Sequence, residues 1–323
     1  MHSPRQRHGT PVSAYSENEL KVRAAWHYYV EGITQEKISE QLDVSRMKIH
    51  RLLVAAREEG IIQFRIRDKA DACFTLEQQL VKQFGLTEAI VVPRAAETAA
   101  AHILVAQAAA LYVANAVSDG STIGVGWGRT LNLALRQMAP RGVKQATVVS
   151  LLGGLAKAQP LNPTECAWEL AEKIDAACYL LPVPAYADRA EMRDAFMSQR
   201  AVQEVLNRAR RADLALVSVG SLGPEGPVSN YGFLDIEEIE ALKALGATGD
   251  LLCHFLDGDG RLIDHPVNRR VCAFPAEELA RIPKVVIASG GYEKVGVLRS
   301  ALKLTRASVL ITDESAATGL LAG

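Results

Sequence analysis

The sequence predicts a two-part α/β protein: an N-terminal helix-turn-helix domain, then a larger Rossmann-like, mostly parallel α/β domain. Three observations carry this. Residues 32–62, GITQEKISEQLDVSRMKIHRLLVAAREEGII, set apolar side chains at helical three- or four-residue steps on both sides of a short break. From residue 88 onward, short apolar runs alternate with long helical stretches, the pattern of a parallel sheet covered on both faces. Several of those runs end in glycine-rich turns that open helices. With 323 residues, 49% of them hydrophobic, the chain can build one small core and one large one.

Residues 1–16 read as a polar, mobile arm without the apolar stretch of a signal peptide. The helix-turn-helix domain is expected over 17–68. A first helix over 17–30 turns Leu20, Ala24, Ala25 and Tyr28 toward the two helices that follow. Ile38, Leu42 and Val44 form the buried side of the second helix, and Ile49, Leu52, Leu53 and Ala56 that of the third. Ser45 is placed to cap the third helix and Gly60 to end it. With Ile49 inward, Met47, His50, Arg51 and Val54 point outward and Lys48 lies on the shoulder. From Ser45 to Arg57 inclusive there are four Lys/Arg and no Asp or Glu. A basic amphipathic helix is often only a solvated surface. Preceded by a helix, a tight turn and a capping serine, it suits the major groove of double-stranded DNA, with Arg46, Met47, Lys48, His50 and Arg51 as the expected contacts. Charge distribution agrees: residues 1–69 net +3 and the remainder −4. Residues 61–67 alternate and read as a wing that sets Gln63, Arg65 and Arg67 outward.

Residues 68–72 are the expected hinge, and 73–84 an amphipathic linker helix (Leu76, Leu80 and Phe84 in register) within a linker spanning 69–87. The larger domain, 88–323, should contain strands at 89–92, 122–126, 147–152, 178–182, 214–220, 251–256, 284–289 and 308–312. Helices at 99–117, 130–138, 163–174 and 193–211 fill most gaps. The five cysteines are scattered and show no Cys-x-x-Cys pair, and the histidines show no ligand spacing, so no metal site or disulfide framework is expected. No stretch has the uninterrupted apolar length of a membrane span.

In open α/β sheets, ligands bind beyond the carboxyl ends of the strands. The first such transition is GVGWGRT, residues 124–130. Its glycines let backbone N–H groups approach an anion, with Arg129 as a cationic fork and Thr130 as a hydroxyl. It matches neither the dinucleotide fingerprint nor a Walker loop, and a glycine turn without a ligand is the plainer alternative. Asn162, after LLGG at 152–155, suits either a ligand hydroxyl or a helix cap. Asp250, just before the 251–256 run, offers an acceptor for sugar hydroxyls. Lys294, in SGGYEK, can reach over the sheet edge or stand as surface filler. His254, His265 and Asp313 read as structural.

On these residues the chain resembles the SorC-type sugar-binding transcriptional regulators of bacteria. The helix-turn-helix is followed, in the family's order, by GVGWGRT, LLGG, GDLLCHFLDGDG, SGGYEK and LITDESAATGLL. The resemblance implies an effector domain similar in fold to glucosamine-6-phosphate deaminase and ribose-5-phosphate isomerase, and a tetramer that binds operator DNA. It implies that Gly126, Trp127, Gly128, Arg129 and Thr130 form the anion loop, and that Asp250, Leu252 and Lys294 contact the effector. Cys253-His254 stands where members often carry Gly-Arg, which leaves an unphosphorylated sugar or polyol open beside a phosphate ester. The expectation is therefore a cytoplasmic regulator of carbohydrate or polyol metabolism, controlled by a small carbohydrate effector, without cofactor and not an enzyme. The alternative is a sugar-phosphate isomerase or deaminase. Such an enzyme needs a positioned general base, and Asp250 has no second acid or base convincingly placed beside it.

Overall fold

The computed structural model describes residues 15–62, 71–94, 98–156, 162–223 and 234–323. The chain divides into two compact units, residues 1–65 and 66–323.

The first unit holds α1 (Glu17–Tyr29), α2 (Gln35–Gln41) and α3 (Arg46–Glu58). Each starts at a hydroxyl residue. Ser16, Thr34 and Ser45 accept backbone N–H bonds from Glu19, Lys37 and Lys48 at 3.3, 3.4 and 3.2 Å. Such caps satisfy N–H groups that a helix start otherwise leaves unpaired. Asp43 (φ 47°) turns the chain between α2 and α3, and Gly60 (φ 72°) turns it after α3. Leu20, Ala24, Ile38, Ile49, Leu52 and Leu53 form a single small core. Tyr28 departs from the expected face. Tyr29 packs against the core in the last turn, and the Tyr28 ring stands edge-on to it with centroids 4.9 Å apart. The wing residues Gln63, Arg65 and Arg67 lie outside the described residues.

The second unit begins with α4 (Asp71–Phe84). Asp71 and Ala72, expected in the hinge, already belong to this helix; residues 68–70 lie outside the described set. The strands are β1 (Glu88–Val92), β2 (Thr122–Val125), β3 (Thr147–Gly154), β4 (Ala177–Pro184), β5 (Leu214–Val217), β6 (Val219–Gly220), β7 (Gly249–Leu251), β8 (His254–Leu256), β9 (Lys284–Ala288) and β10 (Val309–Asp313). Seven form one sheet in the order β1-β10-β9-β5-β2-β3-β4, parallel throughout. Strands buried on both faces need continuous apolar runs, and β5 and β10 are buried at every position. Helix α4, read from the sequence as a linker, buries Cys73 and Leu80 in the same core as β1. Its Glu77 carboxylate accepts the Val91 N–H at 2.9 Å, which occupies a donor on this edge strand.

Two expected strands are broken, and both breaks lead to the site. The 214–220 run splits at Ser218: β5 stays in the parallel sheet, and β6 leaves it to pair with β7. The 251–256 run is a hairpin rather than one strand. Its arms β7 and β8 pair antiparallel around Leu252 (φ 51°) and Cys253 (φ 64°), and Asp250 lies inside β7 opposite Gly220 and Phe255. Two left-handed residues in succession define the hairpin turn that matches strand twist, a conformation that side chains other than Gly, Asn or Asp resist. Gly249 (φ 152°) brings β7 close, because a Cβ there would lie 2.7 Å from Val297 Cβ. The expected helix at 193–211 is likewise two, α8 (Ala190–Met197) and α9 (Arg200–Ala209), separated where Gln199 is extended.

Candidate functional site

In the sheet order, β2, β3 and β4 proceed one way from the centre, while β5, β9, β10 and β1 lie the other way. The order therefore reverses between β2 and β5, and a ligand crevice is expected beyond their carboxyl ends. Residues 126–130 leave β2 there. The Gly126 N–H donates to the Leu216 carbonyl of β5 at 2.8 Å. A Cβ on Gly126 would lie 3.0 Å from Leu252 Cδ2, so the hairpin turn closes directly over this loop. A Cβ on Gly128 (φ 131°) would lie 3.6 Å from Ser218 Oγ, at the β5–β6 break. Helix α6 (Arg129–Gln137) starts at Gly128 with no side-chain cap, which leaves the positive end of its first turn to other acceptors. Trp127 and Thr130 are buried, whereas Arg129 is exposed.

Asp250 and Lys294 converge on the same place. The Asp250 side chain is buried, and its Oδ2 accepts the Cys253 N–H at 3.0 Å across the turn. Burial pushes its carboxyl up to about 6, against the opposing pull of the Cys253 N–H and the Lys294 charge. Lys294 closes a 3-10 turn (Tyr292–Lys294) rather than lying one turn inside a helix, and α12 (Val295–Thr305) follows it. Its Nζ donates to Ser289 Oγ at 3.2 Å, beyond β9. Burial lowers the Lys294 ammonium pKa, Glu293 raises it, Arg129 lowers it, and Asp250 and Asp313 raise it. Residues from the ends of β2, β7, β9 and β10 thus share one electrostatic environment.

The neighbouring groups hold this geometry. The Tyr186 hydroxyl donates to the Cys253 carbonyl at 3.0 Å. Asp313 accepts the Gly291 N–H with one oxygen and the Ser315 and Ala316 N–H groups with the other. His254 is buried with its Nδ1 unpartnered among the described residues, and burial with the nearby Arg193 charge pushes it down to about 4. His265 caps a short helix by accepting the Val267 N–H at 3.3 Å. Asn162 caps α7 (Pro163–Ile174): its Oδ1 accepts from Thr164 and Leu155, and its Nδ2 donates to the Leu155 carbonyl at 2.9 Å.

The structure sets Ser218, Ser289 and Tyr186, which the sequence does not single out, beside the glycine loop, Lys294 and the Asp250 hairpin, which it does. Ser289 directly precedes the double glycine, which was the available signal; Tyr186 is distant in sequence and carried none. A cavity of about 350 Å³ among Asp119, Gly120, Asp213 and Lys284 opens at the amino ends of β2, β5 and β9, the opposite edge of the sheet. Among the described residues no cluster of His, Cys, Asp and Glu is arranged to hold a metal. No described helix is long and apolar enough to cross a membrane.

In the first unit, α3 is divided as its sequence implies. Ile49, Leu52, Leu53 and Ala56 are buried, Arg46, Met47, His50 and Arg51 are exposed, and Lys48 is half-buried.

A helix-turn-helix unit followed by a parallel α/β unit, with a glycine loop, a buried carboxylate and a half-buried lysine beyond the carboxyl ends of its strands, is the arrangement of a ligand-responsive regulator class. Residues 68–322 match the family described as a putative sugar-binding domain. The chain belongs to the family of SorC/DeoR-type sugar-binding transcriptional regulators. It is 32% identical over 310 residues to the erythritol catabolism regulatory protein EryD of Brucella abortus (strain 2308), covering 95% of this chain and 98% of that one. It is 30% identical over 308 residues to the deoxyribonucleoside regulator of Bacillus subtilis (strain 168), covering 94% and 98%. The full-length sorbitol operon regulator SorC from Klebsiella pneumoniae matches with a TM-score of 0.70 at 27% identity, covering 94% of this chain and 98% of that one. These relatives are regulators, which favours regulation over the isomerase or deaminase alternative.

Proposed function

We propose that this chain is a cytoplasmic regulator of carbohydrate or polyol metabolism whose operator affinity is set by a small polyhydroxylated effector, and that it performs no catalysis. The observation that carries this is the convergence of residues 126–130, Asp250 and Lys294 at the switch point, in a chain whose other unit exposes a cationic recognition helix. The loop N–H groups and Arg129 hold the effector's most polar or anionic end. Asp250 accepts from hydroxyls, and Lys294 donates to an oxygen between them. A sugar, polyol or phosphate ester offers that alternation, and an analogue lacking a hydroxyl would leave buried polar groups unpaired. Gly126, Trp127, Gly128, Thr130 and Leu252 shape the pocket, and Asn162 supports its rim. The names of the relatives, regulators of erythritol, deoxyribonucleoside and sorbitol use, support an effector of this class.

Operator DNA is read by α3. Arg51 contributes base or phosphate contacts, Met47 and His50 share its face, and Arg46 and Lys48 serve mainly the backbone. The working form is a homotetramer assembled through α4 and surfaces of the larger unit. Phe74 on α4, Leu111 on α5 (Thr98–Ala116) and Trp168 on α7 are each more than half exposed, which supports self-association there. The test of the DNA reading is a gel-shift titration of the Arg46→Ala, Lys48→Ala, Arg51→Ala triple variant. Loss of Arg51 alone should cost about 1–3 kcal/mol where it pairs with guanine. The triple variant should bind far more weakly with a shallower salt dependence; binding equal to wild type contradicts the reading.

A further inference from the structure

Among the described residues of the first unit, the most exposed large apolar side chain is Met47, at 68% of its full surface. It belongs to neither the buried core of that unit nor the half-buried residues packed around it. Its position is unusual for solvent. It lies in the first turn of α3, between Arg46 and Lys48, on a stretch with no acidic residue before Glu58. Met47, His50 and Arg51 are three and four residues apart, so they share one helix face, and all three are exposed. The exposed apolar groups of α1 differ in setting: the Trp26 indole N–H, for example, donates to Glu31 at 3.1 Å.

A cationic face that admits one long apolar side chain has a specific complement. The major groove presents hydrogen-bonding edges on every base, and its one apolar group is the C5-methyl of thymine. Residues in the first turn of a recognition helix meet base edges. The thioether chain of methionine is flexible and adapts to such a contact.

We propose that Met47 is a specificity-determining residue that packs on a thymine methyl in each operator half-site, beside the bases met by His50 and Arg51. This rests on the reading of α3 as the DNA-binding helix. Burying one methyl against the side chain gives about a four-fold preference for thymine over uracil at one position of each half-site.

The experiment uses the full-length protein. A preferred duplex is selected from a random-sequence pool, and each thymine in it is then replaced singly by uracil, which removes only the methyl. Wild type should lose about four-fold in affinity at one position per half-site. Met47→Ala should bind the thymine and uracil duplexes equally, at about the level wild type shows when the contacted thymine of both half-sites is replaced together. Met47→Gln, which keeps the side-chain length but makes it polar, should also lose the preference. Far-ultraviolet circular dichroism confirms that both variants are folded. Equal wild-type affinity for every uracil duplex overturns the proposal, and so does a thymine preference that survives both substitutions. If the pool yields no preferred duplex, and wild type binds no DNA in a salt-dependent manner, the operator reading itself falls and this inference with it.

Discussion

Asp250 and His254 lie on opposite arms of one hairpin, paired with Phe255 and Leu251 respectively, and shift in opposite senses. Asp250 is raised from 3.8 to about 6, so between those values the folded state holds a proton that the unfolded chain has lost. Stability therefore falls as pH rises through that window. His254 is lowered from 6.5 to about 4, so the unfolded chain binds a proton there that the folded state refuses. Its contribution to stability rises with pH over nearly the same window. Each effect amounts to about 3 kcal/mol at full extent. In wild type the two largely cancel where the windows overlap, between about pH 4 and 6. Asp250→Asn should unmask a rise in stability with pH, and His254→Gln a fall, each relative to wild type in urea titrations. Identical pH slopes in all three proteins would contradict the opposed burial of these groups.

At the scale of elements, the most informative difference from the sequence is the β7–β8 hairpin. The helices of the first unit were legible because Ile49, Leu52, Leu53 and Ala56 follow the helical step and Ser45 caps where it should. The parallel sheet was legible because its strands are short apolar runs between helices. The 251–256 run, LLCHFL, carries no Gly, Asn or Pro to announce a turn. Its turn is held locally by Asp250 accepting the Cys253 N–H and from outside by Tyr186 donating to the Cys253 carbonyl. The second, tertiary bond cannot be read from local pattern. The same bonds explain why Leu252 reaches Gly126, a proximity the sequence left unstated. Tyr186→Phe removes the donor and leaves the Cys253 carbonyl unpaired, at a cost of about 1–2 kcal/mol. Thermal unfolding of this variant should show that loss; an unchanged midpoint would mean the hydroxyl does not hold the turn.

At the scale of the whole molecule, effector control of DNA binding requires two sites on separate units to share a free energy. A ligand changes DNA affinity only if it prefers one arrangement of the assembly, and the coupling then runs both ways. The assembly should be a tetramer, and sedimentation at micromolar concentration checks this; a monomer would contradict it. Two recognition helices of a dimer would then meet half-sites about one DNA turn, or a multiple, apart. The decisive measurement is operator affinity by fluorescence anisotropy with and without an effector. That compound is taken from tetritols, pentitols, hexitols, the corresponding sugars and their phosphates, as the one that most raises the melting temperature of wild type. Asp250→Ala and Lys294→Ala should bind operator nearly as apo wild type does, and should no longer respond to the compound at concentrations that saturate wild type. A full wild-type response in both variants would contradict the account and move the effector site elsewhere.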